Sequence, residues 1–191
     1  MKSLTVIVPV YNDNKNLVNA LNSIVVQNYS NCQVFVCDDC SDVSPQSICD
    51  EFSNKLNIKY LKTKTNGGAA AARNVGLDKL KDNLSDYVCF IDSDDVFLPY
   101  AFKIFSEAVN KKEYDIIVTQ IAQECKEKVT FGDELNSWAW LHGKFYKTEF
   151  LFNNNIKFPT IIRTDEDSCF NLIAKSKTEN IAFIDTPTYY W

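Results

Sequence analysis

Three carboxylates crowd one turn, Asp92-Ser93-Asp94-Asp95, directly after the apolar run Tyr87 to Ile91. That run has no polar alternation, so it reads as a strand covered on both faces in a parallel sheet. The carboxylates then stand at the strand's carboxyl end, where open α/β sheets bind ligands. Asp92 and Asp94 are hard oxygen donors one residue apart, a pair that suits Mg²⁺ or Mn²⁺ held together with substrate phosphates. The same residues also fit an acidic strand-to-helix turn with Asp95 as a helix cap.

Other loops carry matching chemistry. Pro9-Val10-Tyr11-Asn12 follows the first apolar run, and Asp38-Asp39-Cys40-Ser41 follows the second, where Asp39 could accept from the N–H of a nucleobase. Asn66-Gly67-Gly68 opens a helix bearing Arg73; its glycines permit a close backbone turn, and Arg73 is placed to reach a nucleotide. Each loop alone is explained equally well by ordinary turn chemistry. An acidic cluster, Asp165-Glu166-Asp167, opens a late helix. His142, the only histidine, lies between Trp140 and Gly143 and fits a packed role better than a metal role. Trp138, Trp140 and Tyr146 could stack on a sugar face or pack the core.

These residues need a scaffold that brings their loops to one edge. Strand-like runs at 3–8, 33–37, 58–61 and 86–91 alternate with helical patterns at 14–27, 44–56, 68–80 and 99–111. That alternation argues for right-handed βαβ units and a parallel sheet, whose loops emerge together at the carboxyl edge. Asn14 is the expected cap of the first helix, and Ser44 that of the second, with Pro45 in its first turn. Beyond residue 113 the pattern changes: strands at 114–121, 126–131 and 181–184, helices at 147–153 and 165–175, and an aromatic stretch at 138–145 with no firm assignment.

The chain has 191 residues, enough for one well-buried core, so one domain is expected. Its halves divide at about residue 95. The formal charge is -5 and the lysines are scattered, which argues against nucleic acid and anionic membranes as partners. The first apolar run is too short for a signal peptide or a span. Seven cysteines fit reduced thiols rather than a disulfide framework, and Cys37-x-x-Cys40 has no second pair to make a zinc site. The expected location is cytoplasmic, with attachment to a membrane surface left open.

As a set, the motifs Val6-Ile-Val-Pro-Val-Tyr-Asn12, Val36-Cys-Asp-Asp-Cys-Ser41, Asn66-Gly-Gly-Ala-Ala-Ala-Ala-Arg-Asn-Val-Gly76 and Phe90-Ile-Asp-Ser-Asp-Asp95 resemble the successive signatures of family 2 glycosyltransferases. Gly143-Lys144-Phe145-Tyr146, Phe158-Pro159, Asp165-Glu166-Asp167 and the terminal 185–190 stretch extend the resemblance over nearly the whole chain. It implies a GT-A fold, Rossmann-like, with a mostly parallel sheet flanked by helices and a smaller mixed acceptor-side region. It implies inverting transfer of a sugar from a nucleotide diphosphate donor, with uridine diphosphate the expected nucleotide, to a hydroxyl acceptor on a glycan, a lipid-linked substrate or another molecule. Pro9, Tyr11, Asn12, Asp39, Asn66, Gly68, Arg73, Asp92 and Ser93 would then bind the donor, and Asp94 with Asp92 a divalent Mn²⁺ or Mg²⁺. Asp167 would be the general base, and Glu166, Trp138, Trp140 and His142 the candidate acceptor or sugar contacts.

Two departures bear on this. The family usually has Gly where Cys40 stands and Asp where Val43 stands, both in the nucleobase loop. A non-catalytic protein that keeps the fold and nucleotide pocket is the rival reading, against which Asp92, Asp94 and Asp167 all speak. A sugar-phosphate nucleotidyltransferase would need a Gly-rich, Arg-bearing loop after the first strand, and Pro9-Val-Tyr-Asn is not that.

Overall fold

The computed structural model describes residues 1–125, 128–131 and 138–191. Its parallel half is built from β1 (Leu4–Val10), β2 (Cys32–Asp38), β3 (Asn57–Lys62) and β4 (Tyr87–Phe90), side by side in the order β3-β2-β1-β4. All seven residues of β1 and all four of β4 are buried, as expected of inner strands covered on both faces.

The two faces separate along the two-residue period of the strands. Val6, Val8 and Val10 point into one core with Leu17, Leu21 and Ile24 of α1 (Asn14–Val25), Phe52 of α2 (Gln46–Phe52), and Phe102 and Phe105 of α4 (Ala101–Lys111). Ile7 points to the opposite core, shared with Ala72, Leu77 and Leu80 of α3 (Ala69–Leu80), Leu151 of α5 (Thr148–Asn153) and Phe170 of α6 (Glu166–Lys175). Each large apolar side chain so buried contributes about 1.5–3 kcal/mol.

Close approach of α3 to β1 explains one glycine. A Cβ on Gly76 would lie 2.8 Å from Ile7 Cγ2 and 3.1 Å from Cys37 Sγ, so no larger residue sits there without displacing the sheet. Arg73, three residues earlier, is carried by the same tightly seated helix.

Beyond β4 the sheet turns mixed, in the order β4-β8-β6-β9-β5. β8 (Lys144–Lys147) is antiparallel to β4 and to β6 (Ile116–Cys125), while β9 (Ile181–Tyr190) runs parallel to β6 and antiparallel to β5 (Val96–Phe97); β7 (Lys128–Phe131) pairs with β6. The expected α/β architecture is present, and the strands added beyond β4 all come from residues after Asp95.

Several local expectations change. The strand expected at 181–184 continues to Tyr190, because a bulge at Thr119/Gln120 lets β9 follow β6 further. The aromatic stretch at 138–145 feeds β8. Asp95 caps no helix, since Val96 and Phe97 enter the sheet instead. Asp13 and Pro45, rather than Asn14 and Ser44, occupy the cap positions of α1 and α2; the Ser44 hydroxyl still accepts from Gln46 N–H at 3.3 Å. Residues 126 and 127 of the strand expected at 126–131 lie outside the described residues.

Candidate active site

The carboxyl ends of β1, β2 and β4, the start of α3 and the start of α6 converge on a cavity of about 470 Å³. Pro9, Tyr11, Asp39, Asn66, Gly68, Arg73, Asp92, Ser93, Asp94, Glu166 and Asp167 all line it, together with the small residues Ala69 and Ala72 that leave it room. Of the residues expected at the donor only Asn12 is not among its lining. Asn12 adopts a left-handed backbone (φ 52°), and its side chain pairs with Asp42, donating to Oδ2 at 3.0 Å and accepting the Asp42 N–H at 2.8 Å. It ties the loop after β1 to the loop after β2.

Asp39 does two things. It borders the cavity, and its carboxylate accepts the N–H groups of Gly67 and Gly68 and the Thr63 hydroxyl at 2.6–3.1 Å. Those bonds hold the loop before α3 in the conformation that Gly68 (φ 84°) permits.

The centre of the site is Arg73, buried with only 2% exposure. One nitrogen donates to Asp92 Oδ1 at 2.5 Å, and the other to Asp167 Oδ1 at 2.7 Å and Glu166 Oε1 at 3.2 Å. Both ends of its fork are engaged by carboxylates, and its side chain also lines the cavity where the nucleotide is expected. Burial pulls its pKa down, but the charges of Asp92 and Asp167 outweigh that and hold it above the ordinary arginine range.

The carboxylates divide by environment. Burial pushes Asp92 up, yet Arg73 and then His142 overcome it and keep its carboxyl well below the usual range. Asp167 goes the other way: burial raises it to about 6, against the pull of Arg73 and with the push of Asp92 and Glu166. Burial, more than its acidic neighbours, is what moves Asp167. Asp165 holds the cap position of α6 in a left-handed conformation (φ 62°) without a side-chain capping bond.

Behind Asp92 lies a second layer. The Tyr189 hydroxyl donates to Asp95 Oδ2 at 2.6 Å and accepts the Asp92 N–H at 3.2 Å, and its ring stacks on His142 at 4.5 Å. His142 Nε2 is 3.5 Å from Asp95 Oδ2 and 3.9 Å from Asp92 Oδ2. Among the described residues, Asp92, Asp95 and His142 are a set whose ligand atoms lie close enough to share one cation. Burial, reinforced by Asp92 and Asp94 against the Tyr189 bond, lifts Asp95 to about 7.

The aromatic candidates fall outside the cavity lining. Trp138 is buried against Phe183, and Tyr146 is a core residue whose hydroxyl bonds Asn171 Oδ1 at 2.5 Å. Trp140 stacks near His142 and meets Trp191 at 5.6 Å. Sequence reasoning missed Tyr189, Trp191 and Lys144, all of which adjoin His142. Lys144, buried in β8, carried a signal in its position inside an aromatic strand. Burial pulls its ammonium down to about 7.

Comparison with known proteins agrees with this geometry. The family model described as Glycosyl transferase family 2 matches residues 5–179. Among curated proteins the chain is 28% identical over 206 residues to the poly(ribitol-phosphate) beta-N-acetylglucosaminyltransferase TarS of Staphylococcus aureus, covering 100% of this chain and 35% of TarS. It is 32% identical over 116 residues to the glycosyltransferase GlyG of Streptococcus pneumoniae, covering 60% and 38%. The chain thus spans about a third of the length of these relatives. A crystal structure of S. aureus TarS 1–349 in complex with UDP-GlcNAc superposes with a TM-score of 0.87 at 29% identity, over 99% of this chain and 58% of that one. With its family signatures matched from β1 into the turn after α6 and gathered round one cavity, the chain belongs to glycosyltransferase family 2.

Proposed function

We propose that this chain transfers a sugar from a uridine diphosphate sugar to a hydroxyl acceptor, in one displacement with inversion, with Asp167 as general base. The observation that carries the reading is the bridge at Arg73, which joins Asp92 after β4 to Asp167 at the start of α6, both lining the same cavity. A carboxylate with a pKa near 6 is largely ionised at neutral pH and basic enough to take a proton from an attacking hydroxyl. TarS supports the nucleotide: it was crystallised with UDP and with UDP-GlcNAc, so an N-acetylhexosamine donor is the first to test.

The lining also supports a divalent cation. Asp39, Asp92, Asp94, Glu166 and Asp167 face a single guanidinium, Arg73, which carboxylates already engage. A donor diphosphate entering that field meets repulsion that a bound cation relieves. Asp94, exposed in the cavity, and Asp92 would hold the cation, with Asp95 and His142 behind Asp92. Bound there, it would supply charge neutralisation at the departing diphosphate. The chain's own residues do the rest: Asp167 accepts the proton, and Arg73 keeps Asp167 and Asp92 in fixed relation.

No described helix is long and apolar enough to cross a membrane. The acceptor is a hydroxyl compound, and the cytoplasm, where nucleotide sugars are expected, is the proposed place of action.

Calorimetry of UDP binding with and without Mn²⁺ tests the donor reading. Tighter binding with the ion is expected; no binding of any nucleoside diphosphate under either condition would sink it.

A further inference from the structure

Lys144 is a buried lysine for which the donor site offers no use. Its side chain is 3% exposed, and among the described residues no carboxylate pairs with its Nζ. Instead the ammonium donates to two backbone carbonyls of one short strip, Trp140 O at 2.6 Å and His142 O at 3.5 Å. The Trp138 ring lies 5.9 Å away, and the Asp167 carboxylate, without bonding it, favours its charged form.

The same strip is gripped from α6. Asn171 Nδ2 donates to Trp140 O at 2.8 Å, and the Ser168 hydroxyl donates to Ala139 O at 2.9 Å. Ser168 directly follows Asp167 in sequence. Asn171 is itself held by the Tyr146 hydroxyl, from the same strand as Lys144. Residues 139–142 form no regular element, so side chains supply the bonds that a ladder would otherwise give. The strip carries His142, which faces Asp92 and Asp95, and Trp140, which packs with Trp191.

A buried ammonium with only carbonyl partners is a poor way to gain stability, because an apolar side chain of similar length avoids its desolvation. Its geometry has a different benefit. It ties the strip to β8, while Ser168 and Asn171 tie the same strip to α6, the helix that carries Asp167.

We propose that Lys144 is a positioning residue of the acceptor side, fastening the Trp140–His142 strip at a fixed distance from Asp167. This rests on the transferase reading above, but its first test does not. The three tryptophans, 138, 140 and 191, all lie at the strip or against it, and His142 is the only histidine. Intrinsic fluorescence and the imidazole NMR signals therefore report on the strip without donor or turnover.

Lys144→Met and Lys144→Gln are compared with the parent chain. Lys144→Met is expected to melt at or above the parent temperature, since it removes a buried charge. It should show red-shifted tryptophan emission and broadened imidazole signals, while UDP affinity stays within about twofold. Donor hydrolysis of a UDP-sugar at saturation should fall about tenfold to a hundredfold with little change in KM, the size expected when reacting groups drift by about 1 Å. Lys144→Gln keeps a donor without the charge and should recover part of both the emission and the turnover. Unchanged emission and imidazole signals in Lys144→Met would overturn the proposal, and so would unchanged turnover. Loss of folding in both variants would show instead that Lys144 serves stability alone. If the parent binds no UDP, the transferase reading fails, and the spectroscopic arms still decide whether Lys144 holds the strip.

Discussion

Arg73 Nη1 lies 2.7 Å from Asp167 Oδ1 while Nη2 of the same side chain lies 2.5 Å from Asp92 Oδ1, so one buried guanidinium bridges the turn after β4 and the start of α6. Removing it leaves three carboxylates without the cation that bonds all three. Arg73→Met is expected to cost about 3–5 kcal/mol of stability, the range for breaking a buried pair by deleting one partner. It should also raise the pKa of Asp167, because the pull of Arg73 opposes burial there. The acid limb of the pH–rate profile would move to higher pH. A limb that stays in place would mean that Asp167 is not the titrating group.

Asp167 gives a pH prediction with a definite sign. Its folded pKa is about 6 against 3.8 for an unperturbed aspartate. Turnover needs the ionised form, so activity should rise through pH 6 and level off above it. Stability runs the opposite way. A carboxyl whose folded pKa is raised binds more protons folded than unfolded between the two values, so its contribution is greatest at low pH and is lost as pH rises through 6. Asp167→Asn should therefore lose turnover by about a hundredfold or more, while at pH 8 it is more stable than the parent by about 1–3 kcal/mol. UDP affinity should be nearly unchanged. Asp165→Asn, altering an exposed residue that makes no capping bond, should do much less to turnover. Calorimetric melting and turnover across pH 5–9 check both signs.

Asp94 is exposed in the cavity, and among the described residues no hydrogen bond or ion pair engages its side chain. Asp94→Ala should therefore melt within about 0.5 kcal/mol of the parent, as surface changes usually do. It should abolish the difference in UDP affinity between Mn²⁺ and chelator. A loss of stability comparable to a core substitution would make Asp94 a structural turn residue.

Much of this was readable in the chain because β1 and β4 are unbroken apolar runs and the cavity residues directly follow them. Period and turn chemistry placed Asp39, Asp92 and Asp94 at one edge, and the family resemblance added Asp167. What could not be read is pairing across long sequence gaps. Nothing in the 66–76 motif tells that Arg73 bonds residues 166 and 167, more than ninety positions away. The extent of β9 depends on extra residues of its own opposite Thr119–Ile121 of β6, and so the partnership of Tyr189 with Asp95 was invisible. The pairing of Asn12 with Asp42 in the loop after β2 is another contact of this kind, made from a left-handed backbone.

Cys40 shows a departure from the family pattern acquiring a physical meaning. The residue has φ 65°, in the left-handed region where a side chain costs about 1–2 kcal/mol and glycine costs little. The glycine usual in the family at this position answers that backbone requirement. In this chain the thiol contributes one weak bond, Sγ to Thr63 O at 3.4 Å. Cys40→Gly removes the strain and that bond, and adds about 0.5–1 kcal/mol of unfolded-chain entropy. The net expectation is a gain of up to about 1 kcal/mol, read as a higher urea midpoint with an unchanged slope. Cys40→Val, β-branched in the same conformation, should lose about 1–3 kcal/mol. Because the loop begins at Asp39, the glycine variant should leave UDP affinity intact. A Cys40→Gly protein less stable than the parent would show that the thiol's contact outweighs the backbone strain.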